Sequence, residues 1–113
     1  MSYKIHWKSQ RLTALLLALI YPYLVCVFYN LRHAFYGEMI QTFSNPFFAT
    51  FIALTVLTTL YHAILGLQVI IEDYVKSDFI RKLTLGILYI LGFSICLFFF
   101  ISLIKIMILG TQQ

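Results

Sequence analysis

Charge is scarce in this sequence. Only 11% of its 113 residues are Asp, Glu, Lys or Arg, and only four of those are acidic. Soluble domains carry about 25% charged residues, and a chain this short has a large surface for its volume. With 62% hydrophobic residues, most of that surface must face lipid or other protein. Cysteine is also sparse: Cys26 and Cys96 both lie inside apolar runs. They form no CxxC, no metal-ligand spacing and no disulfide framework, and they read as small buried hydrophobes. No nucleophile–base pair, phosphate loop, zinc motif or cysteine-rich cluster site is present. No catalytic residue is assigned, and no water-soluble substrate domain is expected.

Three long apolar runs are present. Residues 12–31, 46–71 and 83–104 each lack a charged side chain. About 20 apolar residues cross a bilayer core as a helix, and lipid admits only helices and closed barrels. The spacing predicts an all-α membrane protein of three transmembrane helices, at about 12–34, 46–72 and 83–107, forming one domain over 1–113. The first run is too long for a signal-peptide core and has no small-residue cleavage site after it, so no cleavable signal is expected. Pro22 should kink the first helix, as membranes allow. Pro46 suits the first turn of the second. Residues 32–45 and 73–82 read as connectors.

The net charge of +4 is unevenly distributed. Three spans place the N-terminus and the second connector on one side, with Lys4, Lys8, Arg11, Lys76, Arg81 and Lys82. The other side has Arg32 and Lys105. The positive-inside rule then puts the N-terminus inside and the C-terminus outside. Basic clusters between apolar runs are a membrane pattern, so no nucleic-acid partner is expected. Trp7, Tyr36, Phe47, Phe48 and Tyr74 lie near the run ends and suit interfacial belts.

Within the second run His62 is the one ionisable side chain apart from tyrosine. It lies about 18 Å along a helix from Tyr74, well inside the hydrocarbon. Such residues usually face the bundle interior and are functional candidates; the plain alternative is a neutral imidazole bonded to another helix. At about 100° per residue, Thr55, Thr58, Thr59, His62, Gly66, Val69 and Asp73 form one stripe. Gly66 clears space for a neighbouring helix or a flat cofactor, and a neutral imidazole facing that space suits heme iron. Glu72 and Asp73 end the helix at its negative pole, which disfavours each by about 0.3–1 kcal/mol. The basic residues on that side could offset this. Tyr74 offers a phenol that donates or accepts, or acts simply as an interfacial anchor. Arg11 either snorkels to headgroups or pairs with a carboxylate. A bis-histidine heme needs a second histidine at matching depth, which this chain lacks.

The segment His62-Ala63-x-x-Gly66 followed by Asp73-Tyr74-Val75-Lys76 resembles the hydrophobic membrane anchor family of succinate dehydrogenase (complex II). Gln10-Arg11-Leu12-Thr13-Ala14 looks similar to it too. The resemblance implies that His62 is an axial ligand of heme b iron, with the other axial histidine from the companion anchor subunit, the second membrane chain of such complexes. It implies that Tyr74 hydrogen-bonds ubiquinone, that Asp73 supports that site, and that Arg11 lies near the heme propionates and the quinone pocket. His6 has a looser correspondence. FAD and iron–sulfur clusters would belong to the partner flavoprotein and iron–sulfur subunits. The implied location is a bacterial inner membrane, with the mitochondrial inner membrane as the alternative. The other readings are the anchor of a fumarate reductase, an independent membrane heme b protein, and a structural or assembly protein without cofactor.

Overall fold

The computed structural model describes residues 3–112, with side chains from Ile5 onward. Residues 1, 2 and 113 of the expected domain, and the side chain of Lys4, lie outside the described residues. Four helices follow in order: α1 (Tyr3–Asn30), α2 (Tyr36–Ser44), α3 (Pro46–Tyr74) and α4 (Asp78–Thr111). No strand occurs among the described residues. Three of the helices, α1, α3 and α4, are long and apolar enough to cross a membrane. At 1.5 Å per residue α4 is about 51 Å long, well beyond the ~30 Å hydrocarbon core.

α1 begins before its expected start, α3 ends past its expected end and α4 exceeds both of its limits, because hydropathy marks the lipid-buried part of a helix, not its ends. α1 takes in the charged stretch around Lys8 and Arg11 and continues through Pro22. It stops at Asn30, four residues short of the expected end. There the Arg32 guanidinium donates to the Tyr29 carbonyl at 2.7 Å and lies 3.8 Å over the Tyr29 ring. α3 begins at Pro46 as expected, with the Asn45 side chain accepting from the amides of Phe47 and Phe48.

The first connector is a correction. Most of it folds as α2, a short helix begun when Glu38 reaches back to the amide of Phe35 at 3.1 Å. Its Ile40 is buried and its Ser44 lies against Gly110 of α4. No room remains there for a Cβ on Gly110.

α3 is central. It packs on α1 along one side and on α4 along the other, while α2 lies across α3 and α4 at the end away from the N-terminus. No Cα of α1 comes within 8 Å of α4 among the described residues. The result is a layer with extents of 54 × 26 × 22 Å. Its accessible surface is 8415 Å². A soluble monomer of this mass exposes about 6,400 Å². Large apolar side chains lie on it, with Leu19, Val25, Phe93, Phe98 and Ile101 all exposed. Such a surface belongs in lipid or against another chain. Cys26, expected to be buried, is on this exposed surface, while Cys96 is half-buried. Helix periodicity turns Cys26 away from the α3-facing residues Leu17 and Leu24 of α1.

Candidate functional site

The seam between α1 and α3 gathers most of the buried polar groups. α1 contributes His6, Gln10, Thr13 and Leu17, spaced to share one face. α3 runs antiparallel and brings Gly66, His62, Thr59 and Thr55 opposite. Thr13 and Thr55 are the buried polar residues of the described chain, at 8% and 4% exposed. His62 Nδ1 lies 2.9 Å from Thr13 Oγ1. Farther along, Tyr21 Oη lies 2.7 Å from Thr59 Oγ1. The second imidazole nitrogen of His62, Nε2, has no hydrogen-bond partner among the described residues.

Gly66 does not open a cofactor space on its own. A Cβ built there would lie 3.3 Å from Gln10 Nε2, so the clearance holds a side chain of α1. Of the two uses open for this glycine, the structure takes the close approach of a neighbouring helix. Near this point two buried polar atoms, His6 Nε2 and Gln10 Oε1, are without a hydrogen-bond partner among the described residues. Burying an unpaired polar group is costly. This end of the seam is therefore incomplete in polar terms.

The other expected site residues are separate from His62. Asp73 and Tyr74 form the last turn of α3, and Tyr74 is 80% exposed. Asp73 makes no ion pair or side-chain hydrogen bond among the described residues. Of the bases expected to offset it, Arg81 is engaged elsewhere. Arg81 pairs with Asp78 at 2.7 Å and also donates to the Lys76 carbonyl, while Glu72 accepts from Gln68. The Arg81–Asp78 pair closes the turn into α4; with Asp78 largely exposed it adds little stability. Arg11 is exposed and stacks over the Trp7 ring at 5.4 Å, without a carboxylate partner among the described residues. Asp73 and Tyr74 thus lie at the exposed end of α3, Arg11 is exposed on α1 beside Gln10, and none of them bonds to His62 among the described residues.

Sequence reasoning missed Thr13 and Gln10 as members of the site. The signal was present: His6, Gln10, Thr13 and Leu17 fall at helical spacing on one face. That face becomes visible only once α1 is known to begin before Leu12.

A wide cleft lies elsewhere. It holds about 1010 Å³ near the α2 end and is lined by Tyr23, Glu38, Gln41, Asn45, Phe48 and others. Glu38 and Asn45 are already engaged as helix caps, so this cleft has few polar groups free for chemistry. Among the described residues no three His, Cys, Asp or Glu gather to hold a metal ion. A metal centre using His62 would need a ligand from outside this chain.

Fold and site together define a three-span membrane protein with one partly satisfied intramembrane histidine and an exposed Asp-Tyr pair at one end. The family described as succinate dehydrogenase/fumarate reductase transmembrane subunit matches residues 3–105, and the chain belongs to that family. It is 30% identical over 100 residues to the succinate dehydrogenase hydrophobic membrane anchor subunit of Rickettsia prowazekii, covering 83% of this chain and 80% of the relative. The protein of the same name from Rickettsia bellii is 31% identical with the same coverage. That of Coxiella burnetii is 35% identical over 92 residues, covering 79% of each chain. No solved structure matches the chain significantly.

Proposed function

We propose that this chain anchors the flavoprotein and iron–sulfur subunits of a succinate:quinone oxidoreductase to a bacterial inner membrane, supplies one axial ligand of heme b, and contributes part of the ubiquinone-reduction site. The N-terminus lies inside, on the side of Lys8, Arg11, Lys76 and Lys82. The names of the relatives favour succinate oxidation over fumarate reduction.

The observation that carries this reading is His62. Its Nδ1 is engaged by Thr13 and its Nε2 has no partner among the described residues, deep within an apolar span. A histidine ligand characteristically bonds a second group through one nitrogen and leaves the other for the metal. Heme supplies one-electron redox chemistry when bound. With a single intramembrane histidine here, a second protein ligand would come from the companion membrane anchor. The open flanks of the α1–α3–α4 layer leave room for that second chain. An independent heme protein would require paired histidines within one chain or a symmetric pair of chains.

The quinone part of the proposal rests on Asp73 and Tyr74. Quinone is apolar and arrives from lipid, but its oxygens require hydrogen bonds and protons on reduction. Tyr74 can donate from the membrane boundary while water stays within reach. Asp73, an acceptor without a partner among the described residues, lies beside it. Arg11, an exposed cation on α1, is suited to a propionate or the rim of the quinone pocket.

Purification of the chain from mild detergent with its native partners tests the reading. Co-purification of a flavoprotein and an iron–sulfur protein, with a b-type reduced-minus-oxidised spectrum, is the expected result. Tyr74→Phe removes one hydrogen-bond donor and should lower quinone reduction roughly tenfold to a hundredfold. Succinate oxidation by an artificial dye should be kept. Equal loss of both activities would remove Tyr74 from the quinone site.

A further inference from the structure

We propose that Thr13 is the positioning residue of His62: its hydroxyl accepts the Nδ1 proton, fixes the ring as the Nδ1–H tautomer, and leaves the Nε2 lone pair for heme iron. This inference rests on the reading of His62 as a heme ligand. Thr13 Oγ1 lies 2.8 Å from the Ser9 carbonyl, 3.1 Å from the Gln10 carbonyl and 2.9 Å from His62 Nδ1. The hydroxyl has a single hydrogen. Carbonyl oxygens only accept, so that hydrogen goes back to its own helix. Toward the imidazole, Thr13 then offers a lone pair, and Nδ1 must bring the proton.

The opposite arrangement is costly. Were Thr13 to donate to Nδ1, its oxygen would face the Ser9 carbonyl at 2.8 Å with no hydrogen between them. The residue is 8% exposed, so water has little access to relieve that repulsion. The rest of the chain follows the same rule. Every threonine among the described residues donates to a backbone carbonyl three or four residues back. Such back-bonding is the ordinary use of a helical threonine hydroxyl. Thr59 repeats the Thr13 geometry: it donates to the Thr55 carbonyl and leaves its lone pairs to Tyr21.

A histidine whose proton sits on Nδ1 is a metal ligand through Nε2. Donation from Nδ1 to an acceptor also orients the ring and raises its basicity as a ligand, and loss of such partners typically weakens metal binding about 10–100-fold. Greater basicity favours ferric over ferrous iron. Thr13 should therefore hold the heme midpoint potential down as well as holding the ring in place.

The test uses the intact complex carrying Thr13→Val, Thr13→Ser or the parent chain. Valine matches threonine in shape but lacks the acceptor, while serine keeps it. Expected for Thr13→Val are about tenfold weaker heme retention on dilution in detergent, a raised midpoint potential of the remaining heme and an altered low-spin EPR signature. Dye-linked succinate oxidation should stay at the parent level, which reports an assembled complex. Thr13→Ser should restore all three heme properties. Parent-like retention, potential and EPR signal in Thr13→Val would overturn the inference while the heme reading stands. A failure of Thr13→Ser to restore them would also overturn it, since the hydroxyl would not be the cause. A parent complex without heme would remove the ligand role of His62, and with it the role of Thr13.

Discussion

α1 meets α3 through hydrogen bonds, whereas α3 meets α4 through close van der Waals contact. The first seam joins Thr13 to His62 and Tyr21 to Thr59. The second has no interhelical side-chain hydrogen bond among the described residues. Its centre is Gly92, where a Cβ would come within 2.7 Å of Ile64 Cδ1, beside the 2%-exposed Leu65. Lipid tails are as apolar as leucine, so hydrophobicity alone pulls neither pair of helices together. Each seam therefore needs a specific device. The polar one holds a histidine in a defined state, and the apolar one holds two helices close.

The sharpest way to break this contrast is His62→Ala. It removes the proposed iron ligand from the polar seam, and the b-type heme spectrum should disappear. The interhelical hydrogen bond lost with it is worth only about 0.6 kcal/mol in membrane proteins, so the chain should still insert and assemble. Dye-linked succinate oxidation retained beside a missing heme spectrum is the expected pair of results. An unchanged spectrum would sink the ligand assignment.

The apolar seam is broken by size. Gly92→Leu drives a branched side chain into Ile64 and the neighbouring α3 surface, and overpacking of this kind costs about 1–3 kcal/mol. Gly92→Ala is different. The Ile64 atom in the way is the free end of a flexible chain, and alanine gains up to about 1 kcal/mol of helix propensity over glycine. The two terms should nearly cancel. Thermal dissociation of the solubilised complex should therefore occur earlier for leucine and close to the parent for alanine. Heme that remains bound to Gly92→Leu should keep its parent EPR signal, because His62 faces the other seam. A changed signal would show that the two seams are coupled through α3.

The three spans were legible because apolar length is a one-dimensional property of the chain. The inward face of His62 was legible too, since 3.6-residue periodicity places Thr55, Thr59 and His62 together without any knowledge of a partner. What escaped was whatever depends on a second helix. Gly66 could have faced a cofactor or a helix, and only the register of α1 puts Gln10 there. The Thr13–His62 contact joins residues 49 positions apart, a pairing no local pattern contains. α2 was hidden for a related reason: nine residues are too few to be stable alone, and its support comes from α3 and α4. Arg81 was grouped by charge with Asp73, yet Asp78 is three residues away on the same helix and takes the guanidinium first.

The finest test separates hydrogen bonds within the polar seam. Tyr21→Phe deletes the phenol that donates to Thr59 and leaves the ring in place. Thr59 keeps its own bond to the Thr55 carbonyl, so no buried donor is stranded. Tyr21 is 42% exposed, which limits the desolvation at stake. The loss should be about 0.6 kcal/mol and no more than roughly 1.7 kcal/mol, a small fall in dissociation temperature. The heme potential and EPR signal should not move, because Thr13 still accepts from His62. If Tyr21→Phe shifts the heme as far as Thr13→Val does, the two hydrogen bonds act through a common displacement of α1, and the polar seam works as a single unit instead of as one positioning contact and one structural contact.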